Sequence, residues 1–139
     1  MAGIEPGLSA EITHVVSGPE AAANWGGDMP VLSTAVLLWL GEVAAGRALD
    51  GLLGEGETTL GLAHDAEHCA PTPVGQTVTV RAELEEVDGA KLVFRVSGHD
   101  GMDECLRGTH TRALIQRERF VKRLAAKQAA MANGTAAAP

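Results

Sequence analysis

The chain has 139 residues and a formal net charge of −7, with 45% hydrophobic but only 3% aromatic residues. This length suits one compact domain with a core of Ala, Val and Leu. The acidic balance is unlike that of a nucleic-acid-binding protein, and the longest apolar run, Ala35 to Leu40, is far too short to span a bilayer. Cys69 and Cys105 lack CxxC spacing, and no signal peptide is visible, so we expect a cytoplasmic protein with reduced thiols.

The first half of the chain predicts one strand and one long helix. Residues 8–18 form a plausible strand, and residues 19–30 a short helical turn followed by a Gly-rich loop. The clearest helix is Leu32 to Gly54, which Ser33 or Thr34 can cap and which Gly51 or Gly54 can end.

The second half predicts about four consecutive antiparallel strands and a terminal helix. Apolar and polar residues alternate in residues 77–87 and 91–99, which is typical of half-buried strands, and Asp-Gly pairs mark turns. We therefore expect a single α+β domain in residues 1–124, with the long helix wrapped by the sheet. The Ala-rich tail, residues 125–139, predicts a frayed helix end followed by disorder.

Glu42 stands out because its neighbours in the predicted helix are apolar almost all round. Burying a carboxylate without a partner costs free energy or raises its pKa. Glu42 is therefore a candidate nucleophile or general base. The alternative is that Glu42 lies at an edge and pairs with Arg47 or solvent, and the sequence leaves both open.

The stretch His64-Asp65-Ala66-Glu67-His68 matches the HxxEH pattern of some zinc hydrolases. On a helix the two histidines lie one turn apart and can share a metal, whereas on a strand they lie about 13 Å apart. No acidic helix follows to supply a third ligand. We interpret the segment as a strand without a metal site, with His64 an ordinary surface or core residue. His68, directly before the Pro-bounded loop, is the candidate functional histidine.

Three stretches resemble the fluoroacetyl-CoA thioesterase branch of the hotdog-fold superfamily. They are LSTAVLLWLGEVA, GLAHDAEHCAPTPVGQTVTVRAELEEVDG and RVSGHDGMDECLRGTHTRALI, and the similarity covers roughly Gly7 to Arg123. The resemblance implies a hotdog fold, in which about five antiparallel strands wrap a long central helix. It also implies homodimers with active sites at the subunit interface, an acyl-CoA substrate and no cofactor, and neither nucleic acid nor membrane is expected as a partner.

The resemblance also implies roles for single residues. Thr34, Glu42 and His68 fall on the Thr, Glu and His that act together on a thioester in that family. Gly61 falls on a glycine near the acyl pocket, and Arg112 on the arginine of a GTHxRA pattern. These five residues are the candidate site.

Two positions depart from the family pattern. His64 has no counterpart in it, which supports an ordinary role for this histidine. Before the helix, fluoroacetyl-specific members carry a phenylalanine-rich lid, whereas this chain has NWGGDMP with Trp25 as the only aromatic residue. Trp25 is therefore the candidate substrate contact there, and we expect a different or broader acyl preference.

Thr34 and Glu42 lie eight residues apart, which is about 12 Å of helix rise. Two helical residues so placed cannot hydrogen-bond each other, so we expect Thr34 of one chain to meet Glu42 of the other. The expected chemistry is acyl-CoA hydrolysis. Glu42 attacks the carbonyl or activates a water, and His68 shuttles a proton. Thr34 orients Glu42 or the carbonyl, and an N–H of the helix start or of Gly61 holds the oxyanion.

Cations near the end of the chain are candidates for the CoA phosphates, namely Arg112 with Arg107, Arg117 or Lys122. Two alternatives to a thioesterase stay open on the sequence alone. One is a non-catalytic hotdog module that binds an acyl-CoA or another small ligand. The other is a small metallohydrolase that uses His64 and His68.

Overall fold

The structure, a computed structural model, describes residues 3–134. Two short 3₁₀ turns, Gly18–Glu20 and Ala22–Asn24, follow the first strand. The remaining elements are, in chain order, β1 (Ser9–Val15), α1 (Thr34–Ala48), β2 (Glu57–His68), β3 (Thr77–Asp88), β4 (Lys91–His99), β5 (Glu104–Gln116) and α2 (Arg117–Ala132). This order of one strand, a long helix, four strands and a last helix confirms the sequence-based prediction.

The strands form one antiparallel sheet in the order β1-β3-β4-β5-β2. One face of α1 packs on the sheet, and side chains such as Leu37, Leu40 and Ala44 are buried against those of Val80 and Phe94. The apolar face of each strand and one face of the helix thus share a single core. This α+β arrangement of a helix held by an antiparallel sheet confirms the fold that the resemblance implied.

The start of α1 is fixed by its cap. Ser33 has extended backbone geometry, and its Oγ accepts a hydrogen bond of 3.1 Å from the N–H of Val36. The helix ends at Ala48, earlier than the predicted Gly54, because a backbone turn follows in which the Leu52 N–H bonds the Leu49 carbonyl. Only Ser33 therefore acts as the cap, and Thr34 is the first helical residue.

Strand β2 lies at the edge of the sheet and contains a β-bulge. Its pairing with β5 joins Gly61 to Arg112 and Ala63 to Thr111, so that Leu62 is an extra residue. Strict alternation along β2 would put Leu62 and His64 on one face of the strand and Gly61 on the other. The bulge changes that parity, and Gly61 and His64 lie on the same face as a result.

Helix α2 extends to Ala132, so the first part of the tail, residues 125–132, is regular helix. It buries none of its described side chains. The predicted disorder concerns the chain end, of which residues 135–139 lie outside the described part. Among the helices of residues 3–134, none combines the length and the apolarity needed to cross a membrane.

Candidate active site

Thr34 and His68 meet at one end of the candidate site. Thr34 is the first residue of α1 and His68 the last of β2, and 2.8 Å separate Thr34 Oγ1 from His68 Nδ1. Burial lowers the pKa of His68 below its ordinary value of 6.5, so the imidazole is neutral at pH 7. Its other nitrogen, Nε2, is buried and has no hydrogen-bond partner within residues 3–134. An unpaired buried nitrogen of this kind is typical of a site that a ligand or a partner completes.

Glu42 lies two helical turns further along α1. Arg112 Nη1 donates to its Oε1 at 3.3 Å, and His64 Nε2 lies 3.2 Å from its Oε2. The side chain of Glu42 is 35% exposed. Glu42 is therefore neither a free surface acid nor the partner of Arg47, since its two oxygens are held from β5 and β2.

Each of the three nitrogens of the Arg112 guanidinium makes a hydrogen bond. Its Nε donates to Thr59 Oγ1 at 3.0 Å and its Nη2 to the Thr59 carbonyl at 3.2 Å. Its Nη1, besides bonding Glu42, lies 3.0 Å from Nε2 of His110. Only 12% of the Arg112 side chain is exposed, and its nitrogens bond Glu42, Thr59 and His110. This geometry revises the expectation that Arg112 contacts the CoA phosphates.

His110 supports this arrangement from inside the protein. It is fully buried, and its Nδ1 donates to the carbonyl of Ala63 at 2.9 Å, which leaves Nε2 as an acceptor for Arg112. Burial lowers the pKa of His110, so the neutral ring accepts this bond at pH 7. His110 and Thr59 were not predicted from the sequence. Strand periodicity could have found His110, which lies two residues before Arg112 and thus on the same face of β5.

Gly61 lies directly against the carboxylate of Glu42. A Cβ atom at this position would lie 2.6 Å from Glu42 Oε1 and 3.4 Å from His110 Cε1. Such a contact is too short for any side chain to be accommodated without moving Glu42. A glycine is therefore required for the carboxylate to rest against the edge strand.

His64, which the sequence led us to interpret as an ordinary surface or core residue, lies in this cluster. Its ring stacks on that of His110 with 4.3 Å between centroids and an interplanar angle of 16°, and its Nε2 reaches Glu42. The bulge at Leu62 is the physical reason, because it turns His64 onto the face of β2 that α1 covers. This effect could not be read from local alternation.

The alternative in which His64 and His68 share a metal is wrong. Both residues lie on the strand β2, about 13 Å apart at ~3.3 Å per residue. A different set is closer together, since potential ligand atoms of Glu42, His64 and His110 lie within 4.8 Å of one another. Arg112 Nη1, however, lies against His110 Nε2 and Glu42 Oε1. The guanidinium occupies the place where a cation would have to lie, so this donor set does not fit a metal.

Trp25 lies beside the first turns of α1. It is 56% exposed and its indole N–H donates to the Pro19 carbonyl at 3.1 Å. With Trp39 it lines a cavity of about 390 Å³, whose other lining residues are Glu20, Ala35 and Val36. Trp39, 52% exposed, was not singled out from the sequence. The chain's two tryptophans thus face one cavity at the first turns of α1.

The other candidates lie outside these clusters. Arg107 pairs with Glu67 and Glu104 on the surface, and Lys122 pairs with Glu118 on α2. Cys69 is exposed, and its thiol donates to the carbonyl of Glu67 at 3.5 Å. None of these groups is in contact with Thr34, Glu42 or His68 in the contacts described above.

Comparison with known proteins identifies the family. The model of the family described as FlK, fluoroacetyl-CoA-specific thioesterase, matches residues 16–118. A fluoroacetyl-CoA thioesterase of Streptantibioticus cattleyicolor is 49% identical over 90 residues, which make up 65% of this chain and 65% of that protein. The match therefore spans just under two thirds of that relative.

Solved structures extend the similarity to nearly the whole chain. The fluoroacetyl-CoA thioesterase FlK superposes with a TM-score of 0.82 at 38% identity, covering 90% of this chain and 98% of that one. A thioesterase superfamily member of Thermus thermophilus gives a TM-score of 0.83 at 25% identity, covering 94% and 99%. Because the family model matches most of the chain, this protein belongs to the fluoroacetyl-CoA-specific thioesterase family and has its hotdog thioesterase fold.

Proposed function

We propose that the protein hydrolyses a small acyl-CoA thioester at a site made of Thr34, Glu42 and His68. Membership of a thioesterase family supports the reaction class. The observation that carries the assignment to residues is the state of Glu42. It is an acid on an otherwise apolar helix, held over Gly61 by Arg112 and His64 at 3.3 and 3.2 Å.

The site is proposed to be composite, with each half from a different protomer of a homodimer. Thr34 and Glu42 lie eight residues apart on α1, or about 12 Å, and each has its own partners within the chain. A thioester carbonyl is too small to touch both in one subunit. The edge strand β2 offers a surface for a second copy, because Leu62 is 54% exposed there.

In this mechanism a Glu42 oxygen attacks the thioester carbonyl, and the oxyanion collapses to an acyl-glutamyl anhydride with loss of the CoA thiolate. Water then attacks the anhydride while neutral His68 takes its proton, which releases the carboxylic acid and restores the Glu42 carboxylate. His68 passes this proton to the CoA thiolate, so that the free thiol leaves and the neutral imidazole is restored. The alternative is that Glu42 activates the water directly. The lowered pKa of His68 favours the neutral base that either route needs. Thr34 holds the His68 ring through Nδ1.

The acyl group is proposed to be small, with Trp25 and Trp39 setting its upper size. Both tryptophans face the cavity that Ala35, the residue after Thr34, also lines. Fluoroacetyl-CoA is the substrate named for the relatives, and the replacement of a phenylalanine-rich lid by NWGGDMP favours a different or broader range here. A cytoplasmic location is proposed as well, because Cys69 and Cys105 are free thiols.

A panel of acyl-CoAs tests the proposal, with short, branched, aromatic and fluorinated acyl groups and free thiol as the readout. We expect turnover of at least one small thioester by the wild-type protein and its loss in Glu42→Ala and His68→Ala. Glu55→Ala, which removes an exposed loop acid, serves as the matched control. Binding of CoA esters without thiol release, or full activity in Glu42→Ala, would contradict the proposal.

A further inference from the structure

We infer that His64 is a positioning residue for Glu42, an inference that rests on the proposed function. Its imidazole N–H donates to Glu42 Oε2 at 3.2 Å, while Arg112 donates to Oε1 at 3.3 Å. The carboxylate accepts, so His64 Nε2 carries the proton in this contact. Two donors on two different oxygens fix both the place and the plane of the carboxylate.

The position of His64 is itself determined by its neighbours. It lies opposite His110 in the pairing of β2 with β5, and the two rings stack at 4.3 Å. His110 is held by the Ala63 carbonyl and by Arg112, so its ring is a fixed platform. The bulge at Leu62 turns the His64 ring towards α1. A side chain seated in this way loses little further freedom when it bonds Glu42.

The arrangement leaves Glu42 able to react. Each carboxylate oxygen has two lone pairs and receives one donor, so each keeps a lone pair that can attack a carbonyl or accept a proton from water. The charged or titratable groups that contact His64 are Glu42 from α1 and His110 from β5, with Arg112 beside them. Arg112 donates to one oxygen of Glu42 and His64 to the other, so the role of His64 here is that of a hydrogen-bond donor.

The inference also accounts for the departure of His64 from the family pattern. The resemblance assigns no role to this position, yet its side chain contacts the proposed nucleophile directly. In this protein the carboxylate therefore has a donor that the Thr, Glu, His and Arg pattern does not include. Its orientation depends on β2 as well as on β5.

The test compares His64→Leu, which removes the donor, with His64→Gln, whose amide N–H can replace Nε2–H. We expect kcat to fall about 10-fold or more in His64→Leu, the size of a lost hydrogen bond to a charged group. We expect KM to change little, and His64→Gln to recover most of kcat. Asp65→Asn is the matched control, since this exposed neighbour on β2 alternates to the other face of the strand.

Wild-type kcat in His64→Leu would overturn the inference. So would an equal loss in both His64 variants together with a lower melting temperature, because this points to a structural role. A readout without turnover separates the inference from the proposed function. Long-range ¹H–¹⁵N NMR should show His64 as the Nε2–H tautomer in the wild type, with this preference lost in Glu42→Ala. A wild-type protein that hydrolyses no acyl-CoA but shows this tautomer contradicts only the proposed function, and a tautomer unaffected by Glu42→Ala contradicts only the contact.

Discussion

Arg112 and Glu42 form the central ion pair of the site, and the two side chains differ in how much of their hydration they have lost. Arg112 is 12% exposed and Glu42 is 35% exposed, so the cation has given up more hydration than the acid. Removing Glu42 would leave a nearly buried cation without its counter-charge, which is costly. The bonds of Arg112 to Thr59 and His110 remain in that case and limit this cost. We therefore expect Glu42 variants to lose activity more than stability.

Gly61→Ala is predicted to impair catalysis without unfolding the protein. The new Cβ would lie 2.6 Å from Glu42 Oε1, so the carboxylate must shift away from Arg112. A shift of this kind at a reacting group costs roughly 100-fold in rate. Steady-state kinetics should show the loss in kcat. Gly18→Ala is the control, because nothing lies within 4 Å of its added Cβ, and equal activity in the two variants would contradict the prediction.

His110 is predicted to make stability depend on pH in the mildly acidic range. Burial lowers its folded-state pKa below 6.5, so between that lowered value and 6.5 the unfolded chain binds more protons. Its contribution to stability is therefore complete above about pH 6.5 and is lost as the pH falls through that range. His68, whose pKa is also lowered by burial, acts in the same direction.

The measurement is the melting temperature at closely spaced pH values in wild type and His110→Asn. Asn can keep a donor for the Ala63 carbonyl but does not titrate. We expect a lower overall melting temperature and a smaller decrease on acidification in the variant. The exposed His99→Asn is the control and should leave the slope as in the wild type. An unchanged slope in His110→Asn would refute the prediction.

At the scale of elements, the sequence predicted most of what depends on neighbours along the chain. Ser33 before an apolar run indicated the start of α1, and alternation in residues 77–87 and 91–99 indicated β3 and β4. The end of α1 was placed too late, because Gly51 and Gly54 were available stop signals and the chain turns before both.

What the sequence could not supply is the outcome of pairing between distant segments. The bulge at Leu62 exists only relative to β5, about 50 residues further on, and no local feature of β2 specifies it. The bulge decides that Gly61 and His64 share a face and that both meet Glu42. Glu42 could be predicted from its apolar neighbours on the helix and Gly61 from the resemblance, whereas the contact of His64 with Glu42 was missed.

Ser33→Ala is predicted to lower the free energy of unfolding by about 1 kcal/mol, the usual effect of losing an N-cap. The Oγ of Ser33 is the acceptor for the Val36 N–H at 3.1 Å, and the side chain is 3% exposed, so water cannot easily replace it. Urea unfolding measures the change. Ser9→Ala, at the exposed start of β1, should change it far less. An equal effect in both variants would show that the cap is unimportant.

At the scale of the whole molecule, the sheet ends on one side in an exposed strand with apolar side chains. β2 has 12 residues, and Leu60 and Leu62 on it are 37% and 54% exposed. A long apolar edge of this kind favours unwanted pairing unless another strand or chain covers it. Trp39, on the face of α1 that the core does not bury, is 52% exposed. A second copy of the chain that covers β2 would bring two sets of Thr34, Glu42 and His68 close to one interface.

A mixed dimer tests whether the two halves of the site come from different protomers. In a dimer of one Glu42→Gln chain and one His68→Ala chain, composite sites would include one with both lesions and one with neither. Sites built within single chains would each carry one lesion, and all would be inactive. Random mixing of the two chains yields about half heterodimers, so composite sites predict about one quarter of wild-type activity in the mixture. The activity should appear only after the two inactive homodimers are unfolded and refolded together. A refolded mixture as inactive as its components, with heterodimers demonstrated by two affinity tags, would show that Thr34, Glu42 and His68 do not act across the interface.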